Sequence, residues 1–239
     1  MFTIHHFESV TSTNDLLRKM DDAKEFTCVV ADQQTAGRGR RDRTWHSAPG
    51  DGLYLSILLL PRSSARVPLI SLMTTVSVAE TLVERGLSGV DIKWPNDVLA
   101  NERKICGILT EGASTGLSSR IILGIGVNLN HGVFPEDLNL TATSLKIETG
   151  SEVVAAEFRD QLLERIAHWY QIWKRDPDLV VTRWEQLSSY ARNRHVAIST
   201  GDALINGVTD GLTSDGALRV IDEKGDDRII LAGEVQRLR

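Results

Sequence analysis

Four arginines fall within six residues of the segment Gly37-Arg-Gly-Arg-Arg-Asp-Arg43, in a chain whose formal charge is −5. A guanidinium is a planar fork that matches phosphate and carboxylate oxygens, and glycine lets the backbone close over a ligand. The chemistry offered is an anion clamp for a phosphate-bearing substrate. A solvated basic loop or a nucleic-acid patch fits the same residues. Gly37 and Gly39 also begin a dinucleotide fingerprint, but Asp42 stands where its third glycine belongs, so a Rossmann reading is weak.

Asp91-Ile-Lys-Trp-Pro-Asn-Asp97 is a second cluster. Strand alternation puts Asp91 and Lys93 on one face and Ile92 and Trp94 on the other, and a buried Lys93 needs an anionic partner. Pro95 stops the strand, so Asn96 and Asp97 present an amide and a carboxylate at its end, with Asp97 a candidate to hold Mg²⁺ or a donor-rich loop. The competing reading is that Lys93 pairs with Asp97 or Asp91 and that Asn96-Asp97 is a plain turn. Lys104 stands at the mouth of an apolar strand ahead of Gly107, whose missing side chain admits a ligand. An edge lysine that discourages aggregation is the other reading. In Gly124-Ile-Gly-Val-Asn128 the alternate glycines leave a groove and Asn128 is suited to an adenine edge, unless a helix merely crosses the sheet there.

These residues need elements to hold them. Ser12-Thr-Asn-Asp15 reads as a helix start, with Ser12 as cap and a short helix running to about Met20. Thr27 to Ala31 reads as a strand, the next twenty residues as a long functional loop, and Leu53 to Leu60 as a strand buried on both faces. Val67 to Arg85 has helical apolar spacing with Gly86 as its stop. Val90–Trp94, Lys104–Glu111 and Ile121–Asn128 are β-rich, and short turns make them antiparallel neighbours. Gly112-Ala-Ser-Thr-Gly116 fits a nucleophile elbow, but no helix follows it, so a hairpin turn is expected. Phe158, Leu162, Ile166, Trp169 and Trp173 mark one long amphipathic helix between Glu152 and Arg175. From residue 189 onward short β-segments are separated by glycines, as in a small barrel.

The 239 residues suit one large domain with a small one attached. With 27 basic against 32 acidic side chains, a surface that grips nucleic acid over its whole extent is disfavoured. Cys28 and Cys106 offer neither a disulfide framework nor a zinc cluster, no histidine has metal-ligand spacing, and neither a signal peptide nor a membrane span is evident. The cytoplasm is the default compartment.

Taken in order, Ser12-Thr-Asn14, Gln34, Gly37-Arg-Gly-Arg-Arg-x-Arg43 with Trp45, Lys93-Trp-Pro-Asn-Asp97, Arg103-Lys-x-x-Gly-Ile-Leu109 and Gly124-x-Gly-x-Asn128 resemble the biotin–protein ligases across nearly the whole chain. The resemblance implies an α+β fold: a mixed β-sheet flanked by helices, like the class II aminoacyl-tRNA synthetases, over residues 1–188, and an SH3-like barrel over 189–239. It implies ATP-dependent conversion of biotin to biotinyl-5′-AMP, then transfer to a lysine of a biotin carboxyl carrier protein, with Mg²⁺ in support. A lipoate or octanoate ligase of the same superfold and a nucleic-acid-binding module are the rivals.

Residue by residue, the resemblance assigns Ser12, Thr13, Asn14 and Gln34 to biotin's ureido ring. Arg38, Gly39 and Arg40 close over carboxylate and phosphate, Lys104 meets the reacting carboxylate, and Gly107 lines the biotin site. Arg40, Lys93 and Lys104 form the catalytic set. The nucleotide falls to Arg38, Arg40, Arg41, Arg43, Trp45, Asn96, Asp97 and Asn128. The loop is expected to order on ligand binding. The family usually has glycine at the position of Asp42, which weakens the local positive field and predicts looser adenylate retention. Some relatives carry a DNA-binding domain ahead of the catalytic one; with Ser12 so early, a chain without operator binding is expected. Whether it forms a homodimer stays open.

Overall fold

In a computed structural model of the protein, residues 1–61, 66–115, 118–201 and 203–237 are described. Strand β1 (Thr3–Val10), helix α1 (Thr13–Arg18) and strands β2 (Thr27–Gln34) and β3 (Gly52–Leu59) come first, followed by helix α2 (Pro68–Glu84). Strands β4 (Val90–Lys93), β5 (Asp97–Ala100), β6 (Arg103–Thr115) and β7 (Ser118–Asn128) come next. Helices α3 (Leu145–Thr149), α4 (Ala155–Arg175) and α5 (Asp178–Leu187) then lead to β8 (Arg192–Ser199), β9 (Leu204–Leu212), β10 (Leu218–Asp222), β11 (Asp227–Ile230) and β12 (Glu234–Arg237).

The first seven strands make one mixed sheet in the order β1-β2-β3-β7-β6-β5-β4. β1 and β2 run parallel, and the ladders from β2 to β4 are antiparallel. Strand β3 is buried along its whole length because both faces are covered. Leu53, Leu55, Ile57 and Leu59 join the core shared with α2 and α4, whereas Leu58 faces α1 beside Leu17, Val29 and Ile122. That is the two-residue alternation of a strand serving two layers of helix. Helix α2 starts with Pro68 in its first turn and stops before Gly86, whose φ of 84° suits only glycine at low cost. The five apolar residues foreseen on α4 are all buried.

Several expectations are corrected. Ser12 precedes α1 in extended backbone, but its side chain makes no capping bond, and the helix ends at Arg18 rather than Met20. Strands β1 and β5 and helices α3 and α5 were not foreseen. β6 and β7 do form a hairpin, paired out to Thr115 and Ser118, while Gly116 of the glycine-serine motif lies outside the described residues.

The last five strands form an antiparallel sheet in the order β11-β10-β9-β8-β12. Among the described residues its ladder is open, ending on the four-residue strands β11 and β12, so the expected closed barrel is not formed. It is fastened to the larger sheet just past β4: Trp94 Nε1 donates at 3.0 Å to the carbonyl of Gly216, which lies between β9 and β10. Among the described residues no helix is long and apolar enough to cross a membrane.

Candidate functional site

The uncharged end of the site is built by α1, β2 and β3. Ser12, Thr13 and Asn14 are buried at the start of α1. The backbone N–H and the hydroxyl of Thr13 both donate to Gln34 Oε1, at 2.9 and 3.1 Å, and Gln34 Nε2 donates to Ser47 Oγ at 3.0 Å. Beneath them, Ser56 Oγ lies 2.7 Å from Thr13 Oγ1 and 2.5 Å from Asn14 Oδ1. Asn14 Nδ2 donates to Glu111 Oε2 at 2.7 Å, so its carboxamide is oriented from both ends. Satisfied buried networks of this kind are rigid, and they present donors and acceptors in fixed directions.

The arginine segment is a hairpin. Trp45 N–H donates to Gly37 O and Gly39 N–H to Arg43 O, at 2.9 and 2.7 Å. At its tip Arg41 and Asp42 have φ of 55° and 58°, the signature of a two-residue type I′ turn. Aspartate tolerates that conformation better than most residues, so the turn survives without glycine. Arg38 reaches Glu111 and Asp15 on the main sheet's side, Arg41 donates to Ser199 O, and Arg43 pairs with Glu234 on β12. Arg40 turns inward and donates to Asn96 Oδ1 at 3.1 Å. Burial, then the neighbouring Arg41 charge, holds the Arg40 guanidinium below its ordinary pKa. For Arg38 burial acts downward, but the hydrogen bonds and charges of Glu111 and Asp15 outweigh it and raise the pKa.

The charged end of the site lies on β4, β5 and β6. Lys93 and Asp97 face each other across the β4–β5 register, Nζ to Oδ2 at 3.6 Å, and Lys104 Nζ lies 2.6 Å from Asp97 Oδ1. The pairing of Lys93 with Asp97, open in the sequence, is therefore what forms. A carboxylate held between two ammonium groups does not fit a Mg²⁺ ligand, and among the described residues no three His, Cys, Asp or Glu side chains gather as metal donors.

The groove anticipated at Gly124 and Gly126 is present, but the protein's own side chains fill it. A Cβ at Gly126 would stand 2.4 Å from Trp45 Nε1 and Cε2, one at Gly107 would stand 2.8 Å from Trp45 Cζ3, and one at Gly124 would stand 2.4 Å from Asn14 Oδ1. The indole thus lies flat on a floor of two glycines, with Lys104 Nζ 5.4 Å from its ring centre. Asn128 is buried nearby and its amide donates to Thr143 O at 3.0 Å.

A cleft of about 500 Å³ joins the two ends, and every residue that the resemblance assigns to ligand binding or catalysis lines it, whereas Gly37, Asp42 and Asp91 do not. The structure adds residues that the sequence did not flag. Phe134, Leu138, Leu140, Thr141 and Ala142 form a wall after β7, and Glu234 brings in the C-terminal sheet. Ser56 and Glu111 act from behind the lining. Ser56 carried a signal, as the one small polar residue in an apolar run, whereas Glu111 and Glu234 carried none.

A mixed sheet with an uncharged hydrogen-bonding pocket and a cationic hairpin on one face defines a class of group-transfer proteins, and comparison supplies the family. The family model for the Biotin/lipoate A/B protein ligase family matches residues 6–128, and the chain belongs to that family. Bifunctional ligase/repressor BirA of Bacillus subtilis is 42% identical over 137 residues, which is 56% of this chain and 42% of that protein. The chain thus spans less than half of that relative's length. The biotin--[acetyl-CoA-carboxylase] ligase of Paracoccus denitrificans is 33% identical over 218 residues, covering 87% of this chain and 88% of its own. The solved structure of biotin protein ligase from Aquifex aeolicus in complex with biotin and ATP matches with a TM-score of 0.89 at 30% identity over 100% of both chains.

Proposed function

We propose that the protein is a biotin–protein ligase that forms biotinyl-5′-AMP from biotin and ATP and then passes biotin to a lysine of a biotin carboxyl carrier protein or domain. The observation that carries this reading is the polarity of the cleft. Its closed end offers neutral donors and acceptors from Thr13, Asn14 and Gln34, suited to a ureido ring. Its open end holds Arg40, Lys93 and Lys104.

In the first step a carboxylate oxygen of biotin attacks the α-phosphorus, the bond to the bridging oxygen of the β-phosphate breaks, and pyrophosphate leaves. Two anions must meet, so fixed cations that do not reorganise lower the barrier. Arg40 supplies a half-buried guanidinium, and Lys104, steered by Asp97, faces the carboxylate. Trp45 packs against the adenine, Asn128 meets its edge, and Asn96 holds Arg40. Arg38 and Gly39 cover the biotin side, while Arg41 and Arg43 bound the nucleotide side. In the second step the carrier's lysine amine attacks the acyl carbon and AMP departs. A closed hairpin keeps water from the mixed anhydride.

The same proposal assigns residues 1–188 to catalysis and 189–239 to an SH3-like accessory domain, and it includes no operator binding, in keeping with the net charge of −5. A cytoplasmic setting agrees with two buried, unpaired cysteines, of which burial pushes the Cys28 thiol up to about 12. The deciding experiment is exchange of labelled pyrophosphate into ATP with biotin, lipoate or octanoate as the acid. Exchange with biotin is expected, and exchange with lipoate alone would move the chain to the lipoate branch of the family.

A further inference from the structure

An asparagine carboxamide is nearly symmetric in shape, so the donors and acceptors around it decide which end is oxygen and which is NH₂. At Asn14 one end meets Glu111 Oε2 at 2.7 Å and the other meets Ser56 Oγ at 2.5 Å. A carboxylate accepts at both oxygens and donates at neither, so the end at Glu111 is the NH₂. The amide oxygen then faces Ser56 and accepts its hydroxyl proton. Ser56 Oγ also lies 2.7 Å from Thr13 Oγ1, so the choice made at Glu111 carries on to Thr13. Turned over, Asn14 would set its oxygen against a carboxylate oxygen with no proton between them.

Glu111 is itself held firmly. It lies on β6, 97 residues from Asn14, and its Oε2 also meets Arg18 Nη2 and Arg38 Nη2, each at 2.8 Å, while Oε1 accepts from Arg38 Nη1 at 3.0 Å. Asp15 Oδ1 takes both arginines at 2.7 Å and closes the cluster. The carboxamide has little room to move away, because a Cβ at Gly124 would stand 2.4 Å from Asn14 Oδ1.

We infer that Glu111 is a positioning residue for the uncharged end of the cleft: by accepting from Asn14 Nδ2 it fixes the direction of that carboxamide and, through Ser56, the hydrogen bonding of Thr13. The pocket then offers one arrangement of donors and acceptors instead of two. The consequence for substrate rests on the reading of Thr13, Asn14 and Gln34 as the biotin pocket, whereas the orientation of Asn14 does not.

Glu111→Gln is the discriminating variant, since it keeps the side-chain shape but brings an NH₂ as well as an oxygen, and Asn14 can then pair with it in either direction. In ¹⁵N-labelled protein the Asn14 side-chain amide signal is identified by its loss in Asn14→Ala. Its exchange with water is expected to quicken about tenfold in Glu111→Gln, the fold-change for losing a charge-assisted bond of about 1.4 kcal/mol. In pyrophosphate exchange the same variant should raise KM for biotin about tenfold and leave KM for ATP within about twofold. In an Asn14→Ala background Glu111→Gln should raise KM for biotin no further, because the two residues act as one unit. An amide that exchanges as in wild type, an equal rise in both KM values, or additive effects of the two substitutions would overturn the inference. The amide signal needs no substrate, so a wild type without biotin-dependent pyrophosphate exchange would strike the functional reading while the signal still decides the positioning.

Discussion

Alternate glycines on one strand offer a way to separate the two halves of the cleft. In Gly126→Ala the new methyl would meet Trp45 Nε1 and Cε2 at 2.4 Å. Carbon atoms in contact prefer about 3.5–4.0 Å, so the indole must retreat by about 1 Å or more. It cannot do so freely, since Trp45 N–H is tied to Gly37 O at 2.9 Å and Lys104 stands over the ring. Overpacking of this kind costs about 1–3 kcal/mol, or about 2–12 °C in Tm for a chain of this size. If the indole is the adenine's platform, a shift of about 1 Å lowers kcat/KM for ATP roughly a hundredfold. Gly124→Ala, two residues away on the same face of β7, instead strikes Asn14 Oδ1 at 2.4 Å. It is expected to raise KM for biotin and spare that for ATP. Pyrophosphate exchange, titrated separately in each substrate, reads both effects. An unchanged ATP dependence in Gly126→Ala, or equal effects of both variants on both substrates, would refute the division of the cleft.

Asp97→Asn leaves Lys93 and Lys104 without their shared counter-charge, and exchange should slow about ten- to a hundredfold, while the Mg²⁺ concentration for half-maximal rate stays that of wild type; a changed Mg²⁺ midpoint would return Asp97 to the metal. Asp42→Gly should slow dissociation of preformed adenylate, by only about two- to threefold because Asp42 is exposed at the hairpin tip and screened by salt; equal dissociation rates would dismiss any effect of that carboxylate. Glu80 on α2 accepts from Trp169 Nε1, Arg183 Nε and Arg165 Nη1 at 3.0, 2.8 and 3.1 Å. Burial acts to raise its pKa, but those hydrogen bonds and arginine charges outweigh it and hold the carboxyl below 4.5. A depressed folded-state pKa stabilises the fold above the unfolded value and ceases to as pH falls through the folded one, so Glu80→Gln should lower Tm by about 2–8 °C at pH 7 and by progressively less below about pH 4; thermal melts at pH 7 and 3.5 check the sign.

The sequence was most legible where a single element carries its own pattern. The apolar stripe of α4, the run of β3 and the stop at Gly86 each express local periodicity, and each is where it was expected. The residues that line the cleft were legible because they cluster within short segments, so their neighbourhood was partly written in the chain itself. β1 was not, because its residues are mostly exposed and a parallel edge strand has no buried face to impose alternation. β5 is four residues long and follows a turn signal that masks it. The partners of Arg38 and Arg43 are farther from reach: Glu111 and Glu234 lie 73 and 191 residues from them, and only the packed sheets bring them together. The same holds for Asp97, whose choice of two lysines follows from strand register rather than from spacing.

Ser56 sits in the middle of a strand with helices on both sides, and its hydroxyl fixes the first residues of α1. On the proposed reading, discrimination at the head-group end is therefore welded to the domain's interior. Libraries meant to change what this end of the cleft binds will lose folded members if they start there. The stretch of the wall from Phe134 to Leu140 is exposed or half-buried and gives mutagenesis a more forgiving place to begin.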